Sequence, residues 1–324
     1  MLQGDLAVLR DDGQNVFSEN SSPQHRIRNL VCVLALGDQG FSASELKPLI
    51  WRPKECSDQT SALTSLIYNA RRVLPPGRLI TSPPGKGPRR YSLLCQDSDI
   101  DVACFLLAVG KAERSRANGR LEESARHYAQ AASLWPTTTS SARALPDFPR
   151  TRLMLQIRDR LLAHRREVAE AYAETQLRLG RHTASLADEI LQSIRAHPTN
   201  TRLWRLHIIA LYRAGYKGDA LRADEAVRTL FEDEFQAGPG TGMDQLQAQV
   251  LADDPVLWTD AALQESTPGV LNKVSPLNLA STPIRGARAS LRPHTHLNRD
   301  VTVRARELAG TARHTDPSTT SSQR

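Results

Sequence analysis

One spacing constrains this chain more than any other feature. Gly119-Arg-Leu-Glu-Glu-Ser-Ala-Arg-His-Tyr128 leads to Pro136, and Gly180-Arg-His-Thr-Ala-Ser-Leu-Ala leads to Pro198. Gly215-Tyr-Lys-Gly-Asp-Ala-Leu opens a third unit. The Gly-to-Pro distances are 17 and 18 residues, and Gly180 precedes Gly215 by 35. A period near 34 residues is that of tetratricopeptide-like helix pairs. Glycine lets one helix turn sharply into the next, and proline ends the second helix because it cannot continue one. Gly119 and Gly180 are 61 residues apart, so an extra element intervenes, and 153–179 reads as a long helix that supplies it. The span 97–254 is therefore predicted to be almost wholly helical. Aromatic residues make up only 5% of the chain, so its cores must rest on Leu, Ile, Val and Ala.

Residues 1–96 follow another pattern. Leu6-Ala7-Val8-Leu9 reads as a strand, Asp11-Asp12-Gly13 as a tight turn and Val16-Phe17 as the return strand. Three helices follow. The first spans 26–36 and is stopped by Gly37 and Gly40. The second opens on Ser42-Ala43-Ser44-Glu45, a capping box, and ends near Trp51-Arg52-Pro53. The third spans 58–74 and stops at Pro75-Pro76-Gly77. Strand-like pieces at 78–81 and 91–94 then flank a basic hairpin rich in glycine and proline. Strands, three helices and a basic hairpin, in that order, specify a winged helix. The fold class is thus mainly α: a winged helix (1–96), a tetratricopeptide-like repeat body (97–254) and a basic tail (255–324). The tail is rich in Ser, Thr, Pro, Asn and Arg, which predicts disorder over 266–324 with a short helix near 301–308.

The chain carries a formal net charge of +7, placed at its two ends: +4 in 1–96, −1 in 97–254 and +4 in 255–324. The densest positive region is 59–96, 38 residues with no Asp or Glu and with Arg71, Arg72, Arg78, Lys86, Arg89 and Arg90. Phosphate contacts favour such a stretch, since a carboxylate there would repel the nucleic-acid backbone. The third helix is two-faced. Leu63, Ile67, Ala70 and Leu74 form one stripe that should pack inward, with Thr64 and Arg71 flanking it. Ser61, Ser65, Tyr68, Asn69 and Arg72 point away. Small hydroxyl residues let a helix sink into a major groove, Asn and Arg bond base edges, and Tyr and Thr bond phosphate. Lys86, Arg89 and Arg90 at the hairpin are placed to follow an adjacent minor groove. The candidate DNA-binding residues are therefore Ser61, Thr64, Ser65, Tyr68, Asn69, Arg71, Arg72, Lys86, Arg89 and Arg90.

Several local motifs resemble those of the SARP-type activators (Streptomyces antibiotic regulatory proteins), which join an OmpR-like winged helix to a bacterial transcriptional activator domain. They are Gly4-Asp-Leu-Ala-Val, Leu49-Ile50-Trp51, Ile67-Tyr-Asn-Ala-Arg71-Arg72-Val-Leu74, Asp101 with Phe105, Ala132-Ser-Leu-Trp135, and Leu211-Tyr-Arg-Ala-Gly215 with Asp219-Ala-Leu221. Their order holds over 4–254. Ala70 stands where the family has a recognition-helix Leu, and Arg90-Tyr91 where it closes the wing with Gly-Tyr. The resemblance implies binding to promoter direct repeats, often as a side-by-side homodimer. It also implies recruitment of RNA polymerase to genes for specialised metabolites such as antibiotics.

Other functions find little support. No phosphate-binding-loop motif occurs, and Gly238-Pro-Gly-Thr-Gly242 reads as a turn between helices. No Ser/His/Asp or Cys/His arrangement suggests an enzyme, and no cofactor or metal is expected; His294-Thr-His296 lacks further ligands. His182 and His197 fall at repeat turns, and Glu122-Glu123 on a solvated helix face, all as structural residues. Cys32, Cys56, Cys95 and Cys104 show no C-x-x-C pair, and Cys32 and Cys104 read as small core residues. No signal peptide or run of about 18 apolar residues is present, so a cytoplasmic, nucleoid-associated protein without membrane contact is expected. The alternative reading is a protein-interaction module whose helical repeats bind a peptide or partner. The acid-free stretch at 59–96 favours DNA.

Overall fold

The computed structural model describes residues 6–8, 15–17, 24–37, 39–83, 87–135 and 145–264, and the backbone of 278–279 and 282–283. The head comprises α1 (Gln24–Leu36), β1 (Phe41–Ser42), α2 (Ala43–Ile50), α3 (Gln59–Val73), β2 (Leu79–Thr81) and β3 (Arg90–Leu93). The strands form one antiparallel sheet in the order β1-β3-β2, with Phe41 opposite Tyr91 and Ile80 opposite Ser92. The helix α1 is apolar almost all round, and Ile27, Leu30, Val31, Cys32, Val33, Leu34 and Leu36 are all buried. Such a helix needs cover on every side, and α2, α3 and β3 supply part of it. Gly37 and Gly40 do more than stop α1. A Cβ on Gly37 would sit 2.3 Å from the Phe41 ring; one on Gly40, which has φ +67°, would sit 2.5 Å from the Tyr91 carbonyl. Side chains at either position would push β1 off the sheet.

The opening segment returns on itself: the Val16 N–H donates to the Val8 carbonyl at 2.8 Å. Asn15 Oδ1 accepts from the N–H groups of Val8 (3.1 Å) and Phe17 (3.2 Å). The Asp-Gly turn expected between them lies outside the described residues.

The body is a run of helices: α4 (Asp101–Ala117), α5 (Leu121–Ser133), α6 (Arg152–Arg178), α7 (Ala184–Ala196), α8 (Thr201–Arg213), α9 (Lys217–Phe235) and α10 (Thr241–Leu251). Two 3-10 turns follow, Pro255–Trp258 and Asp260–Leu263. The predicted long helix over 153–179 is α6; of the predicted turn at 238–242, residues 238–240 lie between α9 and α10 and Thr241 and Gly242 open α10. The repeat glycines all do one job. Gly119, Gly180 and Gly215 have φ of +71°, +71° and +87°. In each case the next residue's N–H reaches back to a carbonyl five residues earlier: Arg120 to Ser115, Arg181 to Gln176, Tyr216 to Leu211. This is the left-handed helix stop that glycine adopts at least cost, made three times at three equivalent turns.

The buried apolar residues form two cores. The first runs from Leu6 through the head to α4, α5 and the first half of α6, ending at Val168. The second starts at Ala173 and ends at Leu263. The segment before α6 staples the first core together. Asp147 Oδ2 accepts from the Leu6 N–H, its carbonyl accepts from Asn29 Nδ2 at 2.7 Å, and Thr151 Oγ1 donates to the Leu49 carbonyl at 3.1 Å. In the second core, arginines of α8 tie down the terminal 3-10 turns. Buried Arg213 donates to the carbonyls of Leu257 (2.7 Å), Leu177 (3.2 Å) and Thr259 (2.8 Å). Arg205 holds the Ala262 carbonyl at 2.9 Å. Buried Glu174 accepts from Arg116, Arg178 and Arg202 within 2.8 Å.

Cys32 is buried, and burial pushes its thiol pKa up. Cys104 departs from the core expectation: it is only partly covered, and its thiol faces the carbonyls of Asp97 and Ser98. The turn that precedes α4 passes beside it and leaves it at the edge. Beyond the body, Asn278–Leu279 and Thr282–Pro283 pair as two short antiparallel strands. The expected disorder of the tail, the helix near 301–308 and His294-Thr-His296 fall otherwise outside the described residues.

Candidate nucleic-acid interface

The helix α3 presents the head's outward polar face. Its start is fixed by Asp58, whose Oδ1 accepts from the N–H groups of Thr60 (3.0 Å) and Ser61 (3.1 Å). These bonds, with one from the Ser61 hydroxyl, hold the Asp58 carboxyl below the usual carboxylate range. The predicted inward stripe is buried, with Leu66 added to Leu63, Ile67, Ala70 and Leu74. Ala70 is fully covered, so a small residue brings α3 close against its neighbours.

Ser61, Thr64, Ser65, Tyr68, Asn69, Arg71 and Arg72 are all exposed. Their polar atoms are not equally free. Ser61 is engaged with Asp58, and the Thr64 hydroxyl donates to the Thr60 carbonyl of its own helix at 3.0 Å. Arg71 crosses to the sheet and donates to Thr81 Oγ1 at 2.6 Å, tying α3 to β2. Arg72 lies against Tyr68, its guanidinium carbon 5.9 Å from the ring centroid. Tyr68 is 62% exposed, an unusual setting for a large aromatic side chain. Ser65, Tyr68, Asn69 and Arg72 thus make one outward patch.

The hairpin between β2 and β3 sits beside α3. Gly87, Pro88 and Arg89 are exposed at its tip, and Lys86 lies outside the described residues. Arg90 corrects the sequence-based placement at the tip. It is the first residue of β3, opposite Ser42, and its side chain turns inward. Its guanidinium donates to the carbonyls of Gly40 (2.8 Å) and Gln39 (3.2 Å) and pairs with Glu45 at 3.1 Å. Burial works against the Glu45 carboxylate, but bonds from Ser42 and Arg90 outweigh it and hold its pKa low. Arg90 is thereby a strut between β3 and the capping box of α2. Pattern reading missed this because Glu45 lies 45 residues away. It also missed Lys47, whose ammonium donates to Thr60 Oγ1 at 2.8 Å and so brings a cation to the start of α3. Lys47 falls outside the acid-free window, and only the packing of α2 on α3 reveals it.

Among the described residues no cluster of three His, Cys, Asp or Glu side chains is arranged to hold a metal, and no helix is long and apolar enough to cross a membrane.

Comparisons with known proteins agree with this architecture. Residues 100–251 match the bacterial transcriptional activator domain. The regulatory protein AfsR of Streptomyces coelicolor is 27% identical over 281 residues, covering 87% of this chain and 27% of its own. The regulatory protein DnrI of Streptomyces peucetius is 32% identical over 166 residues, covering 51% of this chain and 58% of its own. The solved structure of Mycobacterium tuberculosis EmbR in complex with a low-affinity phosphopeptide superposes with a TM-score of 0.63 at 23% identity, over 81% of this chain and 67% of that one. This last match is a likeness of fold. The chain spans between about a quarter and three fifths of the length of these curated relatives. Residues 100–251 thus match an activator domain and regulators align across head and body, so the chain resembles the SARP-type regulators.

Proposed function

We propose that this protein is a sequence-specific DNA-binding activator of transcription. The reading is carried by one observation: α3 projects Ser65, Tyr68, Asn69 and Arg72 to solvent from an acid-free stretch, beside a hairpin tipped by Arg89. In this reading α3 enters a major groove. Asn69 and Arg72 bond base edges, while Ser61, Thr64, Ser65 and Tyr68 contact phosphate or base. Arg89 and Lys86 follow the neighbouring minor groove. Arg71 and Arg90 contribute by fixing the angle between helix, hairpin and α2, and Lys47 adds a phosphate contact at the start of α3. The division into a head (1–96), an activator body (97–254) and a basic tail (255–324) belongs to the same proposal.

The resemblance to these regulators supports the finer reading. The chain binds direct repeats near promoters as a homodimer on DNA, recruits RNA polymerase, and acts on a gene cluster for a specialised metabolite. It carries out no catalysis itself. The relatives it matches are named as regulatory proteins.

Genome-wide mapping of bound DNA tests this directly, comparing the natural chain with an Asn69→Ala, Arg72→Ala, Arg89→Ala variant. Discrete upstream peaks sharing a repeated motif, lost in the variant, are the expected result. A folded natural chain with no enrichment would overturn the reading and point to the repeats as a partner-binding module.

A further inference from the structure

Two exposed faces of the body carry charge that their own helices disfavour. Residues 150–166 hold six arginines and one acid, Asp159. Arg150 and Arg152 stand on either side of Thr151, the N-cap of α6, and the first turn of that helix has no acidic residue. A helix N-terminus is the positive end of its dipole, so cations are held there at a cost. The end of α9 is the reverse. Glu232, Asp233 and Glu234 crowd its last turn, which has no basic residue, at the negative end of the dipole.

Neither set is neutralised within the chain. Arg150, Arg152, Arg160 and Arg166 are exposed, as are the three α9 acids, and among the described residues none of these side chains forms an ion pair. The one arginine close to the α9 acids in sequence, Arg228, is taken up by Asp224 at 2.8 Å and Asp244 at 2.7 Å. Both faces also carry exposed apolar side chains. Leu153 and Leu155 flank Arg152 on α6. On α9, Phe235 is 53% exposed, its ring 5.2 Å from that of half-buried Phe231. A phosphate backbone would take the arginines and leave the leucines in water. The α9 face complements both, anion to cation and phenylalanine to leucine. The two faces belong to different cores, for α6 packs Met154 and Ile157 into the first and α9 packs Ala223 and Val227 into the second.

We propose that the start of α6 in one copy of this chain docks on the end of α9 in a second copy. Arg150 and Arg152 pair with the carboxylates of Glu232, Asp233 and Glu234, and the two leucines lie against Phe235. Arg160 and Arg166 add longer-range attraction. Two different faces meet in this contact, so it is heterologous and joins copies head to tail, the order that adjacent direct repeats demand. It deepens the homodimer proposed above and rests on that reading only for its place on DNA.

The test is sedimentation velocity on the full chain without DNA, at concentrations up to about 0.2 mM because the contact is small. One variant carries Arg150→Glu and Arg152→Glu, the other Glu232→Lys, Asp233→Lys and Glu234→Lys. Each alone should self-associate about tenfold more weakly or worse, since like charges then face each other. An equal mixture of the two should associate again, because each keeps the face that the other has reversed. Both variants should melt about 1–3 °C higher than the natural chain, as the new charges suit their helix ends, so unfolding is not mistaken for lost contact. A natural chain that stays monomeric at the highest concentration would overturn the proposal. So would a mixture that associates no better than either variant, or an arginine variant that associates normally but binds DNA more weakly, which would make α6 a phosphate contact. Association with this charge dependence in a chain that binds no DNA would uphold the contact and overturn only the reading of α3.

Discussion

The arginines of α3 and those of α8 make opposite use of one side chain. Arg72 on α3 lies over the Tyr68 ring and is exposed, with no carboxylate or carbonyl paired to it among the described residues. Arg213 on α8 is buried and gives its guanidinium to three carbonyls, and Arg205 and Arg202 likewise close on the chain's own backbone and carboxylates. The body has slightly more acids than bases, and its α8 arginines are consumed as struts. The head's outward helix has no acid to consume them. Arginine content therefore says little about polyanion binding; the number of guanidinium groups left without an internal acceptor says much more.

The contrast is open to several breaks. Arg213→Ala should cost the most, roughly 2–4 kcal/mol of unfolding free energy by urea titration, because three carbonyls lose a charged donor in a dry setting. DNA affinity measured where that variant is folded should not change. Asn69→Ala and Arg72→Ala should do the reverse: about 1–3 kcal/mol of operator affinity each, or ten- to a hundredfold, with stability within about 0.5 kcal/mol of the natural chain. If Arg72→Ala instead unfolds the head, the distinction between free and strut arginines fails. Arg90→Ala sharpens the same point inside the head. Its loss of the Glu45 pair and two carbonyl contacts should remove about 1 kcal/mol of stability, and weakened DNA binding should recover once the hairpin is held by a second-site stabilisation. Arg89→Ala is the mildest on affinity, lowering the salt slope of binding by about 1 without changing sequence preference.

The smallest effect concerns pH. Burial holds both His197 and His207 below the ordinary histidine range, the first at about 4. The unfolded chain therefore takes up these protons first. Stability is full above about pH 6.5 and falls as pH drops toward 4. His197→Gln should flatten that fall by roughly 1–3 °C in Tm between pH 7 and pH 5; an unchanged slope would place the effect on His207.

Much of this was legible from local signals. The capping box at Ser42 and Glu45 forms as read, the three repeat glycines stand where the period puts them, and the long helix α6 is displaced from its predicted range by one residue at each end. These features depend on neighbours within five residues. What escaped was non-local. The strand β1 is two residues long and exists only because Arg90 and Tyr91 lie opposite it. Arg90 looked like a wing-tip cation until Glu45 came within 3.1 Å. The outward face of α3 was readable from helical spacing, but which of its polar atoms are free was not, since Arg71 is taken up by Thr81 on another element.

The staple at Asp147 bears on how such regulators diversify. The first core runs unbroken from Leu6 to Val168, and Asp147 and Thr151 hold α1, α2 and the opening segment from the far side of α5. A recombination event that exchanged the head alone, cutting near residue 96, would set foreign surfaces against Asp147 and Thr151. If α3 reads DNA as proposed, new operator preferences are reached more cheaply by point substitution along it than by swapping heads, and a swapped head must bring α4, α5 and the start of α6 in the same piece.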